Sequence, residues 1–275
     1  MEDFERLKNI ELNMLKEFIA ICNKHNLRYF VLGGTCLGAI RHKGFIPWDD
    51  DIDVGMPRKD YNEFLRVAQG ELSNGLFLQN GKTDPNFPLN FTKIRNSNTT
   101  FIESTMKNID MNHGVYIDIF PLDGYKKSIF RKIKRKICGG KIGMVYGDRP
   151  KQTIKRKIKN LMINIFNKDY KTARDKLDAM YAKFDFDKSE TVVNYCGAWG
   201  DKEIVPRSVF GSGVEKDFEE LKVIAPENYD EYLTKMYGNY MEFPPIEKRV
   251  ARHDTEIIDL DKPYGYYKKL RSLES

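Results

Sequence analysis

Hydrophobic and polar residues alternate along this chain with both helical and strand periods. Over residues 2–25, apolar side chains recur every three or four positions among charged ones, which predicts an amphipathic helix. Residues 28–32 (RYFVL) predict a short buried strand that runs into Gly33-Gly34-Thr35, after which the helical period resumes. A strand, a glycine turn and a helix start leave backbone N–H groups pointing outward, which suits an anionic ligand.

The rest of the chain continues this mixture of strands and helices. The pattern predicts strands at residues 51–56, at two places within 89–103 about a polar turn at 96–98, at 114–124, and at 192–200 with a turn. It predicts helices at residues 59–69, 170–184 and 229–238. In the stretch 126–168 we expect helices broken at Gly139-Gly140 and at residues 148–150, and from Pro244 onward a mostly irregular chain.

Composition limits the class of protein. With 275 residues, 41% hydrophobic and 12% aromatic, the chain is able to bury a sizeable core. Its four cysteines are widely spaced and form no CxxC pair, so neither a zinc knuckle nor a disulfide framework is indicated. The first residues are acidic where a secretory signal is basic, and no apolar stretch reaches spanning length. We therefore expect a cytoplasmic protein.

The net charge of +6 comes from one block of the sequence. Residues 126–168 contain 15 Lys or Arg against one acid, Asp148, while the remaining chain is acidic. These basic residues alternate with aliphatic stripes, a pattern that disfavours nucleic acid and fits the anionic inner face of a cell membrane. The alternative is a helical bundle whose stripes pack internally and whose charges face water, and the sequence leaves both open.

Four aspartates within five residues carry the candidate chemistry. Asp51 and Asp53 point to one face of the predicted strand, while Ile52 and Val54 point to the other. Carboxylates that converge in this way must bind a cation or give up charge. In the strand 114–124, Asp118 stands between hydrophobic neighbours, as a third ligand would. Three such carboxylates are able to share Mg²⁺ ions, or Mn²⁺, in phosphoryl transfer.

Spacing separates the possible metal architectures. An EF-hand starting at Asp49 would need glycine at Val54 and glutamate at Asp60. A glycosyltransferase with a DxD element would have a nucleotide-binding half upstream, for which the chain before Asp51 is too short. The arrangement that fits is an α/β (α+β) nucleotidyltransferase-like core, with a mixed sheet flanked by helices and a basic helical insertion. We expect one compact unit with the core at 1–125, the basic helical region at 126–185 and a C-terminal segment completing the site at 186–275.

The stretch LGGTCLGAIRHKGFIPWDDDIDVGMPRKDY is similar to the signature of the LicD family of phosphotransferases, relatives of fukutin-related protein. The segments TKIRNSNT, YIDIFPLDG and YGNYMEFPPIEKR also resemble that family. The resemblance implies transfer of a phospho-alcohol, typically phosphocholine from CDP-choline, to a sugar hydroxyl of a surface glycan or teichoic acid, in one version lipid-linked, with release of CMP. Two alternatives stay open: a nucleotidyltransferase that releases pyrophosphate, and a non-catalytic membrane-associated or nucleic-acid-binding protein on the same fold.

The resemblance also implies roles for individual residues. Metal ligation falls to Asp51, Asp53 and Asp118, the last placed to accept the acceptor's proton. Asp49 and Asp50 either ligate metal directly or hydrogen-bond basic neighbours. Donor binding is expected at Gly33, Gly34, Thr35, Arg41, Lys43, Trp48, Asp50, Lys93 and Arg95. Trp48, Tyr116 and Trp199 are candidates for an aromatic cage around choline. His42, His113 and His253 have no assigned role, and the transferred alcohol, the acceptor sugar and the oligomeric state stay open.

Overall fold

The computed structural model describes residues 2–145, 160–161, 163–251 and 253–273, without the side chains of residues 2 and 270–273. Its helices are α1 Glu2–Lys24, α2 Gly33–Arg41, α3 Arg58–Val67, α4 Ile129–Ile142, α5 Tyr170–Tyr181, α6 Tyr229–Tyr237 and α7 Tyr264–Leu273. Its strands are β1 Phe30–Val31, β2 Asp53–Pro57, β3 Leu76–Gln79, β4 Thr92–Asn96, β5 Thr100–Glu103, β6 Val115–Gly124, β7 Thr191–Asn194, β8 Ile204–Pro206, β9 Val214–Phe218, β10 Leu221–Ala225 and β11 Thr255–Asp259.

Strand β6 is the centre of a seven-stranded mixed sheet. The order β1-β2-β6-β4-β3 is extended by β7, which pairs with the C-terminal part of β6, and by β8. The pair β2–β6 is parallel and the other pairs are antiparallel. Every residue of β6 is buried. This confirms the predicted α/β (α+β) class with a mixed sheet flanked by helices.

Two smaller sheets complete the strands. β9 and β10 form an antiparallel hairpin, and β11 pairs antiparallel with β5 across a register shift. Strands from beyond residue 185 therefore pair with strands from the first 125 residues. The three-region division of the chain stays a prediction.

Helix α1 covers the sheet because its apolar stripe matches the helical period. Leu15 and Phe18 are fully buried against the core, and the helix packs across β6 and β4. The helix ends at Lys24, and Asn26 follows with a φ of 52°, a left-handed conformation that asparagine tolerates and that stops a helix. The predicted helix over residues 2–25 is confirmed.

Two local predictions were wrong. Gly139 and Gly140 lie inside α4, which does not break there, because Cys138 and Ile142 on either side pack with α5 in a satellite core and hold the backbone helical. The chain after Pro244 contains β11 and α7, since a non-local partner, β5, satisfies the backbone of residues 255–259. The predicted break at residues 148–150 lies outside the described residues.

Buried ion pairs connect the helices to the sheet. The guanidinium of Arg58, at the start of α3, donates to both oxygens of Asp123 on β6 at 2.8 and 2.7 Å, and to Asp178 on α5 at 2.9 Å. Such a bidentate contact fixes orientation as well as charge. It therefore anchors the helix that follows β2.

Within the described chain, no helix combines the length and the apolar character needed to cross a bilayer.

Candidate functional site

The parallel strands β2 and β6 bring two distant aspartates together. Asp53 and Asp118 are register partners, and the N–H of Asp118 donates to the carbonyl of Ile52 at 2.8 Å. Partners in a parallel pair project from the same side of the sheet. Both side chains line one cleft of about 340 Å³, as does Asp51. The structure therefore places the three predicted carboxylates in a common cavity.

The glycine turn leaves room for carboxylates. Gly33 has a φ of 49°, a conformation that favours glycine, and a Cβ there would lie 3.1 Å from Oδ2 of Asp53. A Cβ on Gly34 would lie 2.2 Å from Oδ2 of Asp49. The N–H of Gly33 donates to the hydroxyl of Tyr232 at 3.1 Å. Both glycines line the cleft, and because they have no side chain, the carboxylates of Asp53 and Asp49 are able to approach the backbone there.

Three consecutive aspartates converge most tightly. Asp49, Asp50 and Asp51 each offer a carboxylate oxygen within 4.8 Å of the others. Burial, with repulsion from Asp49, raises the pKa of Asp51 to about 7. Burial, followed by Asp51 and Asp118, raises the pKa of Asp53 well above its usual range. The site therefore concentrates more negative charge than its burial favours.

Two cations compensate part of that charge. Nζ of Lys93 lies 2.8 Å from Oδ1 of Asp118, with the lysine almost fully buried and its ammonium 3.2 Å from the centre of the Tyr116 ring. His253 contacts the carboxylate of Asp50 through Nδ1 at 3.1 Å and its backbone N–H at 3.3 Å. Although burial opposes it, Asp50 with help from Asp51 raises the pKa of His253 to about 9, so the imidazole is a cation at neutral pH.

A further carboxyl, Glu11 on α1, is buried near the same cluster. Burial, followed by repulsion from Asp51, Asp50, Asp49 and Asp118, raises its pKa well above the usual range. Burial and the neighbouring acids both favour the protonated form of this carboxyl.

The cleft has a second, largely aromatic part. Its lining there comes from the residues before β4, from β6, from the end of β7 and the loop after it, and from α6: Leu89, Phe91, Phe120, Asn194, Cys196, Gly197, Ala198, Trp199, Glu203, Tyr232 and Tyr237. Glu203 is buried, and burial raises its pKa to about 7. Glu203 and Tyr237 were missed from the sequence: Glu203 belongs to no recognisable pattern, and Tyr237 begins the segment YGNYMEFPPIEKR, to which no site role was assigned.

Several predicted donor-binding residues lie outside this cleft. Thr35 is buried and its Oγ1 accepts from the N–H of Asp53 at 2.8 Å. Arg41 donates to the carbonyls of Tyr240 at 2.6 Å and Glu242 at 3.2 Å. Lys43 is exposed, with a φ of 59°.

Two further residues of that group are also held elsewhere. Trp48 lines an adjoining groove together with Arg41, and this groove shares Gly34, Asp49 and Tyr237 with the cleft. Arg95 is fully buried and donates to Gln79 at 2.6 Å and to the carbonyl of Gly114 at 2.7 Å. The structure thus brings Gly33, Gly34, Asp51, Asp53, Lys93 and Asp118 into the cleft, adds Asp49, and leaves the binding roles of the others as predictions.

The histidines without an assigned role have different surroundings. The ring of His42 lies beside those of Trp48 and Phe243, at centre distances of 6.3 and 5.6 Å. Nε2 of His113 contacts the carbonyl of Ile109 at 2.8 Å. His253, which contacts Asp50, lines the cleft.

A mixed sheet with facing aspartates on its parallel pair, next to a strand–glycine turn–helix unit, defines the class of nucleotidyltransferase-like proteins. A family model described as "LicD/FKTN/FKRP, nucleotidyltransferase domain" matches residues 26–137. The chain is 30% identical over 260 residues to the lipopolysaccharide cholinephosphotransferase LicD of Haemophilus influenzae, covering 90% of this chain and 95% of that protein. The chain belongs to the LicD family of phosphotransferases.

A shorter similarity reaches animal members of the family. The ribitol 5-phosphate transferases FKRP of mouse and human are each 40% identical over 53 residues, which is 18% of this chain and 11% of theirs. Relatives named for two different alcohols therefore share parts of this sequence.

Proposed function

We propose that the chain is a Mg²⁺-dependent phosphotransferase that uses a CDP-activated alcohol. It moves phosphocholine, or a related phospho-alcohol, to a hydroxyl of a cell-surface glycan or teichoic acid and releases CMP. The observation that carries the proposal is the register pair Asp53–Asp118, which opens into the same cleft as Asp49 and Asp51. The near full-length similarity to a lipopolysaccharide cholinephosphotransferase favours phosphocholine and a glycan acceptor.

The residues present fit a hard divalent cation. Asp49, Asp51, Asp53 and Asp118 offer carboxylate oxygens in one cleft, and the pKa values of Asp51 and Asp53 are raised by burial and by repulsion from neighbouring aspartates. A cation relieves that repulsion, and oxygen donors of this kind suit Mg²⁺, with Mn²⁺ accepting the same set. When bound, the ion supplies positive charge against the donor diphosphate.

The chain's own groups position the remaining parts of the reaction. The acceptor oxygen forms a bond to the phosphorus that carries the alcohol, the bond from that phosphorus to the bridging oxygen breaks, and CMP leaves with the electron pair. Asp118 takes the hydroxyl proton, and the Lys93 ammonium 2.8 Å away favours its ionised, accepting form. The apolar side chains of Phe91 and Phe120 line the same cleft and exclude water.

For the acceptor, we propose that helix α4 holds the protein at an anionic membrane that carries a lipid-linked glycan. This helix has six Lys or Arg and no acid. Ile129 and Phe130 are 64% and 80% exposed, and Ile133 is 48% exposed. Large apolar groups among cations fit the inner face of a cell membrane, where each basic residue near the surface contributes about 1 kcal/mol.

A second stretch of the chain extends the α4 surface. Ile163 contacts the helix near Gly140, and Nζ of Lys141 donates to Asn164 at 2.6 Å. Leu161, Ile165 and Phe166 are then left 63%, 72% and 57% exposed. Ile154 and Ile158, which belong to the same predicted stripe, lie outside the described residues. The opposite side of α4 packs against α5 through Cys138 and Ile142, so the helix divides its apolar residues between a core and the surface.

Product analysis tests the proposed reaction. The protein is incubated with Mg²⁺, CDP-choline and a lipopolysaccharide or teichoic acid preparation, and the products are followed by ³¹P NMR. Formation of CMP together with a phosphodiester on the glycan supports phospho-alcohol transfer. Incubation with CTP that yields pyrophosphate and a nucleotide on the glycan would show the alternative nucleotidyl transfer and overturn the proposal.

A further inference from the structure

The aromatic part of the cleft contains a carboxyl that the proposed phosphoryl chemistry does not use. Glu203 is 6% exposed and accepts the N–H of Trp199 at 3.4 Å. A Cβ on Gly197 would lie 2.2 Å from Oε1 of Glu203, so this carboxyl packs directly against the backbone of the loop after β7. The local sequence is therefore fitted closely around Glu203.

Glu203 has no ion pair with the part of the chain that the structure describes. Burial rather than the aspartate cluster raises its pKa, to about 7. A buried carboxylate is stable only when a cation or several donors compensate it. Because Glu203 lines the cleft, a cationic ligand is able to supply the missing charge.

Aromatic rings surround the same part of the cavity. The rings of Trp199 and Tyr237 meet edge to face, with centres 4.8 Å apart at 76°. Nζ of Lys202 lies 5.2 Å from the centre of the Trp199 ring while it donates to the carbonyl of Met236 at 2.9 Å. The Trp199 ring therefore already has one cation, Lys202, within the distance at which an aromatic face attracts positive charge.

The other two candidates for a choline cage, Tyr116 and Trp48, do not line the cleft. The Tyr116 ring is contacted by Lys93 and by Arg95, whose guanidinium carbon lies 4.5 Å from its centre. Trp48 lines an adjoining groove with Arg41, which shares Tyr237 with the cleft. Of the three, Trp199 lines the cleft.

We propose that Glu203, Trp199 and Tyr237 form the subsite for a quaternary ammonium at the alcohol end of the donor. This rests on the proposed function. A trimethylammonium group has no N–H to donate, so it is recognised through its charge and through contact with aromatic faces. The carboxylate supplies the opposite charge, and the rings supply a surface that water wets poorly. The subsite selects choline over an uncharged alcohol.

Calorimetry with Mg²⁺ and two donors tests this subsite. CDP-choline and CDP-glycerol share the nucleotide and diphosphate and differ in the charge of the alcohol. We expect Glu203→Gln to weaken CDP-choline binding about tenfold or more, with CDP-glycerol changed less than about twofold. Gln keeps an oxygen for the Trp199 N–H, and Glu220→Gln, on the exposed β9–β10 turn, is the control that changes neither affinity.

The outcomes separate this inference from the function on which it rests. If Glu203→Gln affects both donors equally or affects neither, the ammonium subsite is wrong while the phosphotransferase proposal stands. If the wild-type protein binds no CDP compound, both are overturned. Trp199→Leu is the second variant, should Glu203→Gln melt early. This variant is expected to weaken the binding of CDP-choline more than that of CDP-glycerol. An equal loss of affinity for both donors would again contradict the subsite.

Discussion

Asp53 on β2 and Asp118 on β6 are register partners in the parallel strand pair at the centre of the sheet. The charge of Asp118 contributes, after burial and Asp51, to the raised pKa of Asp53. Nothing in the local sequence of either strand requires the other strand as its neighbour. The pairing turns two isolated acids into one side of a binding cleft.

Replacing either member of this pair by its amide should remove activity and leave the fold intact. We expect Asp53→Asn and Asp118→Asn to lower Mg²⁺-dependent CMP release by at least about a hundredfold to a thousandfold, because charge at the reacting phosphate is no longer balanced. Since these acids repel one another when ionised, Asp53→Asn should melt no earlier than wild type without Mg²⁺. Asp217→Asn, an exposed acid on β9, is the control. Full activity in both site variants would refute the carboxylate assignment.

The buried cation beside Asp118 should matter for stability. Lys93→Met leaves Asp118 without its 2.8 Å partner in a cavity with other acids, so urea unfolding should show a loss of about 3 kcal/mol. Adding Asp118→Asn should recover part of this loss, because the charge that Lys93 neutralised is removed. Lys222→Met, in an exposed pair with Asp217, should change little. A Lys93→Met protein as stable as wild type would contradict the role of the pair.

The glycine turn provides a steric test with a matched control. A methyl on Gly34 would lie 2.2 Å from Oδ2 of Asp49, so Gly34→Ala should displace that carboxylate and lower both Mg²⁺-induced stabilisation and CMP release. Gly139 lies inside α4 with nothing within 4 Å of an added Cβ, and Gly139→Ala should keep activity and gain about 0.5–1 kcal/mol. Normal activity of Gly34→Ala would show that Asp49 is free to move without consequence.

Stability should fall as pH rises, in the absence of metal. The folded protein raises the pKa of Asp51 from 3.8 to about 7 and that of Glu203 from 4.5 to about 7, so it binds these protons more tightly than the unfolded chain. His253, raised from 6.5 to about 9, stabilises the fold fully below pH 6.5 and loses that contribution as pH rises through 9. All three shifts act in the same direction.

Thermal melting in EDTA between pH 5 and pH 9 checks this expectation. The midpoint should drop by roughly several degrees across that range. Mg²⁺ should raise the midpoint more at pH 8 than at pH 5.5, because protons and the cation compete for the same carboxylates. A midpoint that is independent of pH, with and without Mg²⁺, would contradict the shifted pKa values.

The exposed apolar residues of α4 predict binding to anionic membranes. At low salt, most of the protein should co-sediment with vesicles that contain phosphatidylserine, and much less should co-sediment with neutral vesicles. Phe130→Ser should weaken binding several-fold, whereas Ile246→Ser, which is 78% exposed elsewhere, should not. Equal binding to neutral and anionic vesicles would contradict the electrostatic part of the proposal.

Local sequence pattern predicted most of the elements that carry the aspartates. The helix over residues 2–25 follows from its hydrophobic period, because burial of one face requires that period. The strands around Asp53 and Asp118 follow from short runs of apolar residues, since β6 is buried throughout. The pattern failed where packing outweighs intrinsic preference. Gly139 and Gly140 stay helical because neighbouring residues pack with α5, and β11 forms because β5 offers it a partner.

The sequence by itself determined the acids, the glycine turn and the class of chemistry, since the turn and four of the acids lie within about twenty residues and the segments that contain them resemble one family. Only the tertiary structure decided that His253 contacts Asp50, that Lys93 lies against Asp118, and that Glu203 lines the cleft. The physical reason is that burial and charge compensation depend on which distant segments meet, and sheet pairing and loop packing set those contacts. The spacing of hydrophobic residues along the chain contains no information about these long-range contacts.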